Sequence, residues 1–134
     1  MNESAVILVD SNVLIDIFQN DPSWATWSLD QLARYNSTVI NPIIYAELCY
    51  QNTTPDELDE TLTQLDIKYS EIPRDALYLA SQAFRLYRQR GGSKTSPLPD
   101  FFIGAHATSL GISILTRDTA RYRAYFPKVE LICP

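Results

Sequence analysis

Ala5-Val6-Ile7-Leu8-Val9-Asp10-Ser11-Asn12 is an uncharged apolar run that halts on an aspartate. Its β-branched residues read as a buried strand, and the polar triplet as the turn into a helix. Val13, Leu14, Ile17 and Phe18 recur at helical spacing beyond it, with Ser11 and Asn12 placed to cap that helix. The same pattern returns near the other end, where Ile112-Ser113-Ile114-Leu115-Thr116-Arg117 runs into Asp118. Between them, Asn41-Pro42 and Thr54-Pro55-Asp56-Glu57 are helix starts, the second with a glutamate at the capping-box position. Helices are also expected from Asp21-Pro22-Ser23 through Trp24, Trp27, Leu32 and Tyr35, from Ala76 to Tyr87 ahead of Gly91-Gly92, and from Asp100 to Gly111. Further strands are expected at 37–40, 67–72, 112–116 and 129–133. Strands alternating with helices predict a three-layer α/β/α sandwich with a mainly parallel central sheet.

At 134 residues, 46% hydrophobic and 20% charged, the chain has the composition of one ordinary globular domain spanning 1–134. Nothing basic precedes Val6, and the apolar run there is too short for a signal peptide or membrane span, so cytoplasmic residence is the expectation. Cys49 and Cys133 have no metal-ligand spacing. The net charge of −5 is unevenly spread. Residues 1–73 carry two basic against twelve acidic side chains, a balance of −10; residues 74–134 carry nine against four, a balance of +5. A basic half beside an acidic pocket suits a phosphate backbone next to bound metal, although Arg85, Arg88 and Arg90 also suit a solvated helix face.

Residues just past the carboxyl ends of strands gather in one crevice of an open α/β sheet. Asp10 and Asp118 fall there, with Glu47 and Asp100 expected at or near the starts of two helices between them. Four converging carboxylates repel one another unless a divalent cation neutralises them. Each residue alone has a plainer explanation: Asp10, Asp100 and Asp118 as helix caps, Glu47 as a solvated helix residue. Their joint placement is what points to a metal-dependent enzyme.

The motifs carry a resemblance. Val9-Asp10-Ser11-Asn12-Val13-Leu14 resembles the opening motif of PIN-domain ribonucleases, and Asn41-Pro42-Ile43-Ile44-Tyr45-Ala46-Glu47-Leu48 their second. Pro99-Asp100-Phe101-Phe102-Ile103-Gly104-Ala105-His106-Ala107 resembles the third, and Leu115-Thr116-Arg117-Asp118 the fourth. All four occur in order along nearly the whole chain, most similar to VapC-type toxins of bacterial toxin–antitoxin pairs. Phe101-Phe102 is bulkier than the usual pattern, and Gly104 stands for a common alanine, at a helix cost of about 1 kcal/mol.

That resemblance implies an endoribonuclease in which Asp10, Asp100 and Asp118 hold one or two Mg²⁺ or Mn²⁺ ions and Glu47 completes the shell. Asn12 and Thr116 are candidates to orient the carboxylates, and Ser11 to join them or to cap the helix, capping being favoured. Arg85, Arg88, Arg90 and Lys94 are candidate RNA phosphate contacts, with Arg117 and Arg121 nearer the metal. Tyr87 and Tyr122 are read as core or dimer contacts ahead of base-stacking platforms. Trp24 and Trp27 suit an antitoxin groove or the core. His106, the only histidine, reads as a helix-face residue. A homodimer, an RNA substrate and a cognate antitoxin are the partners implied.

Three alternatives remain. A haloacid-dehalogenase-type phosphatase needs a second aspartate two residues after the first, where Asn12 stands. A phosphate-receiver domain needs an acidic pair at the first strand end. A degenerate PIN domain that only binds RNA or a partner would be expected to have lost a carboxylate, and all four are present.

Overall fold

The computed structural model of the chain describes residues 5–51, 53–96 and 98–134. The segment 1–4, and Pro97 ahead of Asp100, lie outside the described residues. The described residues form β1 (Val6–Val9), α1 (Ser11–Phe18), α2 (Ala25–Arg34), β2 (Ser37–Ile40), α3 (Pro42–Cys49) and α4 (Pro55–Gln64). There follow β3 (Ile67–Tyr69), α5 (Arg74–Gln89), α6 (Pro99–Leu110), β4 (Ser113–Leu115), α7 (Ala120–Tyr125) and β5 (Leu131–Ile132). The strands make one sheet in the order β3-β2-β1-β4-β5, every pairing parallel, with helices flanking it. The expected α/β architecture is observed, and the sheet is wholly rather than mainly parallel.

Central β1 pairs with β2 on one side (Leu8 opposite Val39) and β4 on the other (Leu8 opposite Ile114). Ile7, Leu8 and Val9 are therefore buried on both faces, which explains an apolar run without alternation. Strands 67–72 and 129–133 are shorter than expected, at Ile67–Tyr69 and Leu131–Ile132.

Caps largely follow the sequence. Asn41 Oδ1 accepts the Ile44 N–H at 2.9 Å, and Thr54 and Glu57 close a reciprocal capping box. Gly111 ends α6 at φ +66°, a left-handed conformation that favours glycine. Of the caps weighed for the first helix, the structure takes Asp10, whose Oδ1 accepts the Ser11 N–H at 2.8 Å, and neither Ser11 nor Asn12 fills that role. Asp100 is likewise not a cap but the second residue of α6, behind Leu98 as cap.

Gly104 has a packing role. A Cβ built there would overlap the ring of Phe126, which is buried against α6 and edge-on to Phe101 at 6.5 Å between centroids. Gly104→Ala should therefore destabilise the protein by about 1–3 kcal/mol in urea unfolding, although alanine is the better helix former.

Candidate active site

The strand order reverses between β1 and β4, and the crevice beyond their carboxyl ends is where an open parallel sheet offers a site. Asp10 directly follows β1, and Thr116 and Asp118 follow β4. Asp100 enters from the first turn of α6. Glu47 comes from late in α3, its sixth residue, not near the helix start as expected; one helical face still carries it to the crevice.

Asp10 is the centre of this arrangement. Only 4% exposed, it accepts the Ser11 N–H on Oδ1. On Oδ2 it accepts the Thr116 hydroxyl at 2.9 Å, the Tyr122 hydroxyl at 2.8 Å and a longer bond from Asn12 Nδ2 at 3.4 Å. Asn12 also donates to Thr116 Oγ1 at 3.1 Å and accepts the Arg117 N–H at 3.0 Å, joining the ends of β1 and β4. Thr116 Oγ1 accepts the Asp118 N–H at 3.0 Å. Asn12 and Thr116 thus stand where orienting groups were expected. The Ser11 hydroxyl, for which capping was the favoured reading, instead donates to Glu47 Oε1 at 2.9 Å.

The electrostatics tie the four carboxylates together. Burial pushes the Asp10 carboxyl above its ordinary range; the bonds from Tyr122, Thr116 and Ser11 oppose this, and the Asp118 charge adds to it. Glu47 is raised by burial and by the charges of Asp10 and Asp100, against the Ser11 bond. Asp100 is pushed up to about 6 by burial and then by Asp10, with Arg121 pulling the other way. The buried Tyr122 hydroxyl is raised for the same reasons, so it stays a donor. The Asp118 side chain is exposed and lines, with Asp100, Ala120 and Arg121, an open depression of about 280 Å³.

The cations sort differently from expectation. Arg117 is engaged: Nη2 donates to Asp16 Oδ1 at 2.9 Å, Nε to Oδ2, and the guanidinium lies 4.9 Å over the Trp24 ring. Arg88 donates to the Lys94 carbonyl, Arg90 lies 5.2 Å over Tyr125, and Arg85 and Lys94 are exposed. Tyr87 packs against Phe101 and Tyr125 at 5.5 and 6.2 Å between centroids, joining the end of α5 to the start of α6. Trp27 packs on the core, edge-on to Trp24. His106 is fully buried, not on an open helix face, and its Nδ1 meets Asn41 Nδ2 at 3.1 Å.

A family model for the PIN domain matches residues 7–127. The chain belongs to the PIN-domain family. No curated protein matches it in sequence. Among solved structures, this PIN domain is similar to VapBC2 from Rickettsia felis bound to a DNA fragment from its promoter (18% identity, 96% and 98% of the two chains covered, TM-score 0.72). It is also similar to a toxin–antitoxin complex from Klebsiella pneumoniae (22%, 96% and 97%, 0.69) and to FitAcB from Neisseria gonorrhoeae (22%, 94% and 96%, 0.66). At these identities the likeness is one of fold.

The donor set of this PIN domain suits a hard divalent cation: all oxygen, mutually repelling, and partly desolvated. Among the described residues no three His, Cys, Asp or Glu side chains form a ready-made metal-holding group. Asp118 is exposed on the open depression it shares with Asp100, its backbone N–H bonded to Thr116 Oγ1.

Two residues of the site were missed in the sequence. Tyr122 reaches Asp10 across 112 residues, which no local pattern encodes. Asp16 did carry a signal, as the one carboxylate in the apolar helix Val13–Phe18. Arg117→Met would strand the buried Asp16 carboxylate and should cost about 2–4 kcal/mol in urea unfolding, most of it recovered by adding Asp16→Asn.

Proposed function

We propose that this PIN domain is an Mg²⁺- or Mn²⁺-dependent endoribonuclease that hydrolyses RNA phosphodiester bonds and serves as the toxin of a toxin–antitoxin pair. The observation that carries this is the placement of the four carboxylates at the β1–β4 crevice: Asp10 and Asp118 follow β1 and β4, Asp100 shares a depression with Asp118, and Glu47 is tied to the Asp10 turn through the Ser11 hydroxyl. Asp10, Asp100 and Asp118 would hold the ion, with Glu47 completing the shell directly or through water. A divalent ion held there supplies an acidified water and charge stabilisation at a scissile phosphate.

The chain's own residues do the positioning. Thr116 and Tyr122 fix Oδ2 of Asp10, the Ser11 N–H fixes Oδ1, and the Ser11 hydroxyl aims Glu47. Arg85, Arg88, Arg90, Lys94 and Arg121 supply positive charge for the flanking phosphates. Arg117, engaged by Asp16, contributes by holding the loop before Asp118 rather than by meeting RNA. The toxin role is supported by the family and by the fold shared with the VapBC2 and Klebsiella pneumoniae assemblies. It implies a cognate antitoxin, and the resemblance implies a homodimer in the cytoplasm. No helix among the described residues is long and apolar enough to cross a membrane.

The test is cleavage of total RNA by the purified chain in Mg²⁺ or Mn²⁺, beside EDTA. Metal-dependent cutting at defined sites is expected. Folded protein that neither cuts RNA nor binds either ion would overturn the nuclease and leave a binding module.

A further inference from the structure

Two arginines flank Asp118, and they are held in opposite ways. Arg117 is locked, bidentate on Asp16 and stacked on Trp24. Arg121, in the first turn of α7, brings Nη1 only to 3.6 Å from Asp100 Oδ2, too far for a hydrogen bond. Its guanidinium carbon sits 5.8 Å from the ring centres of both Tyr87 and Phe101, and its side chain is 36% exposed. Arg121 thus rests on an aromatic shelf, at the mouth of the depression it shares with Asp100 and Asp118.

We infer that Arg121 is a displaceable counter-ion: it neutralises Asp100 while no divalent cation is held there, and turns to a substrate phosphate when one is. This rests on reading the carboxylates as a cation site. The exchange follows from charge and distance. A divalent ion in direct contact with Asp100 attracts it far more than a monovalent guanidinium at 3.6 Å, and then repels that guanidinium. Cation–π contact with two ring faces holds the guanidinium near the site without fixing its direction. A released arginine presents a planar fork that fits phosphate oxygens. Bound cation and bound phosphodiester therefore favour each other, and by linkage each tightens the other by the same factor.

The experiment uses the full chain and two substitutions, Arg121→Gln and Arg121→Lys. Mn²⁺ affinity is measured by calorimetry without nucleic acid. Binding of a ten-nucleotide phosphorothioate thymidylate strand is then measured by anisotropy with and without Mn²⁺. Arg121→Gln should bind Mn²⁺ about three- to fivefold more tightly than the parent, because a partly exposed competing charge is gone. Arg121→Lys, keeping the charge, should stay within about twofold of the parent. Mn²⁺ should strengthen strand binding more in the parent than in Arg121→Gln. Unchanged or weaker Mn²⁺ binding by Arg121→Gln would overturn the exchange while leaving the cation site standing. Failure of the parent to bind Mn²⁺ would overturn both.

Discussion

Asp10→Asn is expected to leave a folded chain that cleaves RNA at least ~10³-fold more slowly than the parent, a loss of about 4 kcal/mol of transition-state stabilisation. The size of the effect follows from the bonding around this one side chain. Every donor aimed at Asp10, the Ser11 N–H, the Thr116 and Tyr122 hydroxyls and the longer bond from Asn12 Nδ2, expects an acceptor. An asparagine must turn its NH₂ toward one of these, so it loses the negative charge and part of the orienting network together. A circular-dichroism melt checks the fold, and single-turnover cleavage in saturating Mn²⁺ measures the loss. Cutting that survives the substitution would remove Asp10 from the active site.

The second large effect is on stability and needs no RNA. With EDTA present, the melting temperature should fall as pH rises from about 4 to about 7. The sign follows from Asp100, whose carboxyl is raised from 3.8 to about 6. An acid raised by folding contributes stability below its unfolded value and loses it as pH climbs through the folded one. Asp10 and Glu47 are raised too and act in the same direction. Asp100→Asn should flatten part of that slope, leaving the share of Asp10 and Glu47, and melt higher than the parent in EDTA at pH 7.5. Saturating Mg²⁺ should restore the parent at pH 7.5 by several degrees, as about 2.7 kcal/mol is gained at a hundredfold excess over Kd. At pH 4, below the Asp100 value of about 6, the ion should do little. A parent whose melting point ignores both pH and Mg²⁺ over this range would contradict the charge repulsion at the site.

How much of this was legible in the sequence depended on how local each cause is. Strand β1 and the aspartate ending it could be read because burial on both faces demands an unbroken apolar run. The caps at Asn41 and Thr54 could be read because three residues suffice to encode them. At the first helix three adjacent polar residues could each cap, and only the structure picks Asp10, which frees the Ser11 hydroxyl for Glu47. Helix α7 was not anticipated, since six residues show too little periodicity to declare a helix. Yet α7 carries Tyr122 and Arg121, the groups that meet Asp10 and Asp100. The excess of positive charge in the second half was visible, but not that a buried carboxylate takes Arg117 out of it.

The pairing of β1 with β4 has a consequence for how the molecule is made. The crevice draws on residues 10–12 and 116–122, so partners that meet across it stand 106 and 112 residues apart and are synthesised at different times. While β1 waits for its neighbour, a growing chain holds Asp10 without Thr116, Asp118 or Tyr122. Such non-local closure comes late in folding. A chain that stops short of β4 therefore lacks the Thr116, Asp118 and Tyr122 side of the crevice, and the carboxylates stay apart until that strand has docked against β1.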